Sequence, residues 1–180
     1  MLIRILAFLL ETVFFVLIAA ALLRAWMNWV RASLRAQPGS FVMALTDWLV
    51  KPLRRALPKS LTQSRVDWAS VLAAAAFALA YALLWGLLSG LDFSPMALGV
   101  LLLFALKMLL RVALQTLLIL VLGYAILSWV QPGSQAYGLL ARLTEPLLTP
   151  LRRVIPMIGG VDLSALALLV LLQIGLMVLG

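Results

Sequence analysis

The sequence contains no cysteine and no histidine. Together those absences remove disulfides, thiolate nucleophiles, imidazole bases and the usual zinc and haem ligands. Without cysteine, the redox compartment stays open. Acids are also scarce: six in 180 residues, scattered so that no carboxylate pair or nucleophile–base pair can be assembled from them. Enzyme is therefore the weakest functional class, and no cofactor is expected. Charged residues make up only 11% of the chain, where a soluble domain carries about a quarter.

What is present is apolar. Two thirds of the residues are hydrophobic and the mean hydropathy is +1.17, too much apolar surface for one soluble core. A membrane span needs about 20 apolar residues. Residues 5–23, 68–88, 112–130 and 163–180 supply four such runs, and the expected class is an all-α membrane protein. Residues 91–111 form a shorter apolar lead-in, punctuated by Asp92, Ser94 and Pro95, which is either an N-terminal extension of the third helix or an interfacial segment. Arg4 and the Ala19-Ala20-Ala21 run give the N-terminus some features of a signal peptide. It is expected to be retained, because Trp29 precedes one Gln-Pro-Gly-Ser as Trp129 precedes another.

Between the apolar runs the chain repeats itself. Gln37 to Ser40 and Gln131 to Ser134 both read Gln-Pro-Gly-Ser. Thr46 to Pro58 and Thr144 to Pro156 then align over 13 positions without a gap, each containing Pro-Leu-Arg-Arg and a closing Pro. Asp67 and Asp162 follow, just before the next apolar runs. The expected plan is two parallel repeats, 1–90 and 91–180, each a helix, a basic proline-bounded loop (24–67 and 131–162) and a second helix. Of 14 basic residues, 11 lie in those two loops, so the positive-inside rule puts the loops in the cytoplasm and the termini outside. Trp26, Trp29, Trp48, Trp68 and Trp129 agree, lying on the loop side, with Trp85 toward the other face. The net charge of +8 is better matched to anionic lipid head groups than to nucleic acid, because the loops are too short for an independent nucleic-acid module.

Within each loop, Arg54–Arg55 and Arg152–Arg153 are the candidate lipid- or partner-binding residues, since a guanidinium can hold a phosphate through two hydrogen bonds. A plain anchoring role competes with that reading. Asp67 and Asp162 are candidate helix N-caps, with a salt bridge back to the Arg pair as the alternative. Pro150 and Pro156 are expected to hold Thr149 and Ile155 out of helix. Gly159-Gly160 permits a tight turn in the second loop that Gln63-Ser64 does not match. Ala69, Ala73, Ala74, Ala78 and Ala82 form small-residue ridges suited to close helix packing, within one chain or between chains. Glu11, Lys107 and Arg111 are ionisable residues inside apolar runs and so candidate functional charges. Glu11 and Arg111 stand 18 residues before Trp29 and Trp129 and are expected to pair.

The duplicated Pro-Leu-Arg-Arg-x-x-Pro segment, the Gly-Gly-x-Asp-Leu-Ser run from Gly159 to Ser164 and the four-span plan together resemble the YggT family of small membrane proteins. The resemblance covers nearly the whole chain and is most specific from Thr144 to Ser164. The first copy departs from it at Trp48 and Lys51, where the second has Pro146 and Thr149. The resemblance implies a bacterial inner-membrane protein with relatives in plastids, tied to osmotic tolerance and potassium uptake, cell division, nucleoid distribution or assembly of a haem-containing cytochrome. A haem role would be that of a chaperone to another protein. The favoured reading is a non-enzymatic scaffold or assembly factor that contacts anionic lipids and other membrane proteins, with homo-oligomerisation open. The alternative is a small oligomeric channel or ion-flux component, for which Glu11 is the candidate intramembrane acid.

Overall fold

A computed structural model describes residues 1–33, 38–58, 61, 64–91, 94–155 and 162–180, with only the backbone at 2 and 3. Gln37, Asp92, Gln63, Pro156 and Gly159-Gly160 lie outside the described residues, and so does the tight turn expected of the glycines. Among the described residues all regular structure is helical: α1 Leu2–Trp29, α2 Gly39–Ala56, α3 Trp68–Leu88, α4 Pro95–Val130, α5 Gln135–Arg152 and α6 Leu163–Leu179. Three of them, α1, α3 and α4, are long and apolar enough to cross a membrane, and α6 is a shorter apolar helix. The chain forms two compact units, Met1–Val112 and Ala113–Gly180, with α4 contributing its first half to one and its second half to the other.

The expected proline-bounded loops are corrected here, because most of each is helix. Pro52 lies inside α2, and Pro146 and Pro150 lie inside α5. A proline in a helix interior costs about 3 kcal/mol through its missing N–H and the clash of its ring. Burial outweighs that. In α2, Val42 and Val50 are buried, with Leu49 and Leu53 partly so. In α5, Leu143 and Leu148 are buried, and Leu140, Leu147 and Leu151 pack partly. Each full burial stabilises by about 1.5–3 kcal/mol. Thr149, expected to leave the helix ahead of Pro150, is helical, and its hydroxyl donates to the Glu145 carbonyl at 2.7 Å. Pro52 and Pro150 both fall on the exposed side.

The apolar lead-in is an extension of the third apolar helix. α4 runs unbroken for 36 residues, about 54 Å at the standard rise. Pro95 opens it, where the missing N–H costs nothing, and the Ser94 hydroxyl accepts from the Ala97 N–H at 3.3 Å. α1 ends differently. Ala32 N–H reaches the Met27 carbonyl at 2.8 Å and Arg31 N–H the Asn28 carbonyl at 3.1 Å, with Arg31 at φ 58° where glycine is usual.

In the first unit the alanine-rich side of α3 packs within the chain. Ala69, Ala73, Ala74, Ala78 and Ala82 are buried in one core with Ile18 and Ala21 of α1, Val50 of α2 and Leu101 and Ala105 of α4. Their small side chains allow α1 and α3 to approach closely. In the second unit, Val121 and Tyr124 of α4, Leu148 of α5 and Ala165, Leu168 and Leu172 of α6 form the core. Gly123 gives Leu140 room: a Cβ there would stand 3.1 Å from the Leu140 Cδ1.

Candidate functional site: a carboxylate knot in each unit

Each amphipathic helix ends on a basic residue bound to the carboxylate that starts the next apolar helix. In the first unit Arg54, in the last turn of α2, donates to Asp67 at 2.7 Å. The same Asp67 oxygen accepts from the Asn28 amide of α1 at 2.6 Å and from the Ser70 hydroxyl at 2.8 Å. The other oxygen lies 3.4 Å from the Ser70 N–H, at the N-terminus of α3. One carboxylate, 7% exposed, thus ties together three helices.

The second unit has a corresponding arrangement. Arg152 donates to one Asp162 oxygen from Nε at 3.0 Å and from a terminal nitrogen at 2.6 Å. Its terminal nitrogen also donates to the Tyr124 hydroxyl of α4 at 2.8 Å. The other Asp162 oxygen accepts from the Ser164 N–H at 3.1 Å and from the Ser164 hydroxyl. Tyr124 stacks on Tyr137 of α5, ring centroids 5.6 Å apart. Asp67 and Asp162 therefore cap α3 and α6 and also hold one arginine of each pair. Arg55 and Arg153 are exposed.

The sequence model of the CCB3/YggT family matches residues 3–88 and 103–180. The chain belongs to the CCB3/YggT family. Among relatives similar to it, the "uncharacterized protein YggT" of Escherichia coli strain K12 is 34% identical over 170 residues, covering 94% of this chain and 86% of the relative. An uncharacterized protein encoded in the proC 3′ region of Vibrio alginolyticus is 33% identical over 175 residues, 97% and 92% of the two chains. One from Pseudomonas aeruginosa is 34% identical over 159 residues, 87% and 79%. No solved structure matches.

This CCB3/YggT chain has a further ionic cluster. Arg24, on α1 and 4% exposed, donates to the Thr46 hydroxyl and to Asp47 of α2, both at 2.8 Å. Lys51 completes the group at 2.8 Å from the other Asp47 oxygen. The Arg24 Nε is buried with no hydrogen-bond partner among the described residues. Thr46 returns its own proton to the Val42 carbonyl at 2.7 Å. The cluster fixes α2 against α1.

The electrostatics of the knots follow from burial against hydrogen bonding. Burial pushes the Asp67 carboxyl up. Hydrogen bonds from Ser70 and Arg54, the Arg54 charge and the Asn28 amide outweigh it and hold the group below the usual carboxylate range. Burial likewise raises Asp162, and Ser164 with Arg152 brings it below that range. Both carboxylates are thus held ionised and committed to structure. Among the described residues, no three His, Cys, Asp or Glu side chains gather to hold a metal ion.

Asn28, Ser70 and Tyr124 have no counterpart in the sequence reasoning, and Ser164 entered it only as the end of the Gly159 to Ser164 run. The signal for the two serines was local: each lies two or three residues past a capping Asp, where a hydroxyl can share the carboxylate. Nothing local marked Asn28 or Tyr124, whose reach is across helices. Glu11, Lys107 and Arg111 are exposed along α1 and α4.

Proposed function

We propose that this chain is a non-enzymatic scaffold or assembly factor of the bacterial inner membrane. In this reading α1, α3, α4 and α6 cross the bilayer as two parallel repeats, with the α2 and α5 faces in the cytoplasm and both termini outside. α6, at 17 residues, reaches about 26 Å, close to the roughly 30 Å of hydrocarbon. The family's sequence model matches two segments of similar length, which supports the duplication. The observation that carries the reading is the knot itself. In each unit an Arg–Asp contact fixes an amphipathic basic helix at the start of an apolar one, leaving Arg55, Lys51, Arg142 and Arg153 exposed. A basic amphipathic helix held in this way lies in the head-group region and meets anionic lipid or the acidic face of a partner.

The physiological setting, whether osmotic tolerance, cell division or cytochrome assembly, then depends on which membrane protein docks there. Purification of the intact protein in mild detergent, with identification of co-purifying proteins and lipids, tests this. A stable stoichiometric partner that is lost when Arg55 and Arg153 become Gln is the expected result. A self-assembled ring that conducts ions in liposomes would contradict the scaffold reading.

A further inference from the structure

We propose that the first unit holds one site for the phosphate head group of an anionic phospholipid, in the polar cavity between α1, α2 and the start of α3. This rests on the reading of the basic faces as membrane-surface contacts and narrows it to a single place. The cavity measures about 240 Å³, and Asn28, Arg54, Ser64, Arg65, Asp67 and Trp68 contribute to its walls.

The charges decide what fits. Arg54 gives one terminal nitrogen to Asp67, and its remaining guanidinium nitrogens make no bond among the described residues. Arg65 lies over the Trp29 ring, 5.6 Å from its centroid, and no described carboxylate is within ion-pair distance of it. Among the described wall residues, two guanidinium groups against one carboxylate leave a single positive charge facing the cavity. A phosphodiester carries a single negative charge, and a guanidinium can meet it with paired N–H donors. Leu61, 37% exposed, and Trp68, 40% exposed, complete the wall with apolar surface of the kind that sits at head-group depth, where a glycerol ester would lie.

A zwitterionic head group brings its own ammonium and leaves the cavity charge uncompensated. The groove in the second unit, about 190 Å³, is lined by Leu122, Ile126, Trp129, Leu166 and Leu169, and among its lining residues the one charged group is Asp162. Its described lining offers an anion no guanidinium or ammonium group. Of these two cavities, the one in the first unit is therefore the one that suits an anion.

The test uses the full chain in non-ionic detergent, titrated calorimetrically with dihexanoyl phosphatidylglycerol, dihexanoyl phosphatidylcholine or inorganic phosphate. Phosphatidylglycerol should bind one per chain, at least tenfold more tightly than either of the others. Arg65→Gln should weaken it at least tenfold, whereas Arg4→Gln, an equal loss of charge at the far end of α1, should weaken it less than twofold. Arg65 is exposed, and an unchanged far-ultraviolet circular dichroism spectrum would verify that the variant is folded. Equal losses from the two variants would overturn the cavity site and leave the broader basic-face reading intact. Inorganic phosphate binding as tightly as phosphatidylglycerol would overturn the lipid as occupant. No preference of the unsubstituted chain for phosphatidylglycerol over phosphatidylcholine would overturn both the site and the reading it rests on.

Discussion

Asp67→Asn separates the two things that Asp67 does. Asparagine caps a helix about as well as aspartate, so the start of α3 should survive. What is lost is the charge that accepts from Arg54, Asn28 and the Ser70 hydroxyl. A hydrogen bond to a charged group contributes roughly 1.5–3 kcal/mol. Arg54 is 48% exposed and rehydrates once released, so the expected loss is about 1–2 kcal/mol. Asp67→Ala removes the cap as well, about 1 kcal/mol more, and leaves the Asn28 amide and Ser70 hydroxyl unpaired, for a total of about 3 kcal/mol. The pH dependence has a definite sign. The carboxyl sits below its unfolded value, so its contribution is complete above about pH 4 and is lost as pH falls through the folded value. Unfolding in detergent micelles, followed by circular dichroism between pH 7 and pH 3, reads both effects. Asp67→Asn should be less stable at pH 7 and should lose less on acidification. Equal stability of Asp67→Asn and the unsubstituted chain at pH 7, with the same acid sensitivity, would refute the knot as an energetic element.

The same measurement should separate the members of the second arginine pair. Arg152→Lys gives up the two-nitrogen contact with Asp162 and should cost about 1–2 kcal/mol, while Arg153→Lys should stay within about 0.5 kcal/mol. Ala78→Leu places a large side chain where 1% of the alanine is exposed, and should cost about 1–3 kcal/mol, read as a lower thermal midpoint. Glu11→Gln and Arg111→Gln should each lower stability, and the double substitution should recover part of the loss if the two pair at membrane depth. Strictly additive losses would make each an interfacial anchor.

The apolar helices were legible because 20-residue runs such as Trp68–Leu88 have few alternatives. The lead-in at 91–111 was ambiguous for a physical reason: Pro95 ends one element and begins another with equal ease, and only the Ser94 cap shows which. The two amphipathic helices were missed because Pro52 and Pro150 were weighed as the bounds of irregular loops. The helical period was already present in Val42, Thr46, Leu49, Val50 and Leu53, and burial along that stripe outweighed the prolines. Asp67 and Asp162 were visible as caps, and Arg54 and Arg152 as their competing partners. That one carboxylate serves both roles, and that Asn28 and Tyr124 join in, depends on contacts 39 and 28 residues apart in the chain. No sequence period encodes such contacts.

The central claim is that both basic amphipathic helices lie on one side of the membrane, with the α3–α4 turn on the other. The absence of native cysteine makes the measurement clean. Single cysteines at Ser40, Gly133 and Ser94 are exposed to an impermeant maleimide in intact spheroplasts and again after permeabilisation. The account predicts labelling of Ser94→Cys from outside, and of Ser40→Cys and Gly133→Cys only after permeabilisation. Labelling of Gly133→Cys and Ser94→Cys from the same side would contradict it.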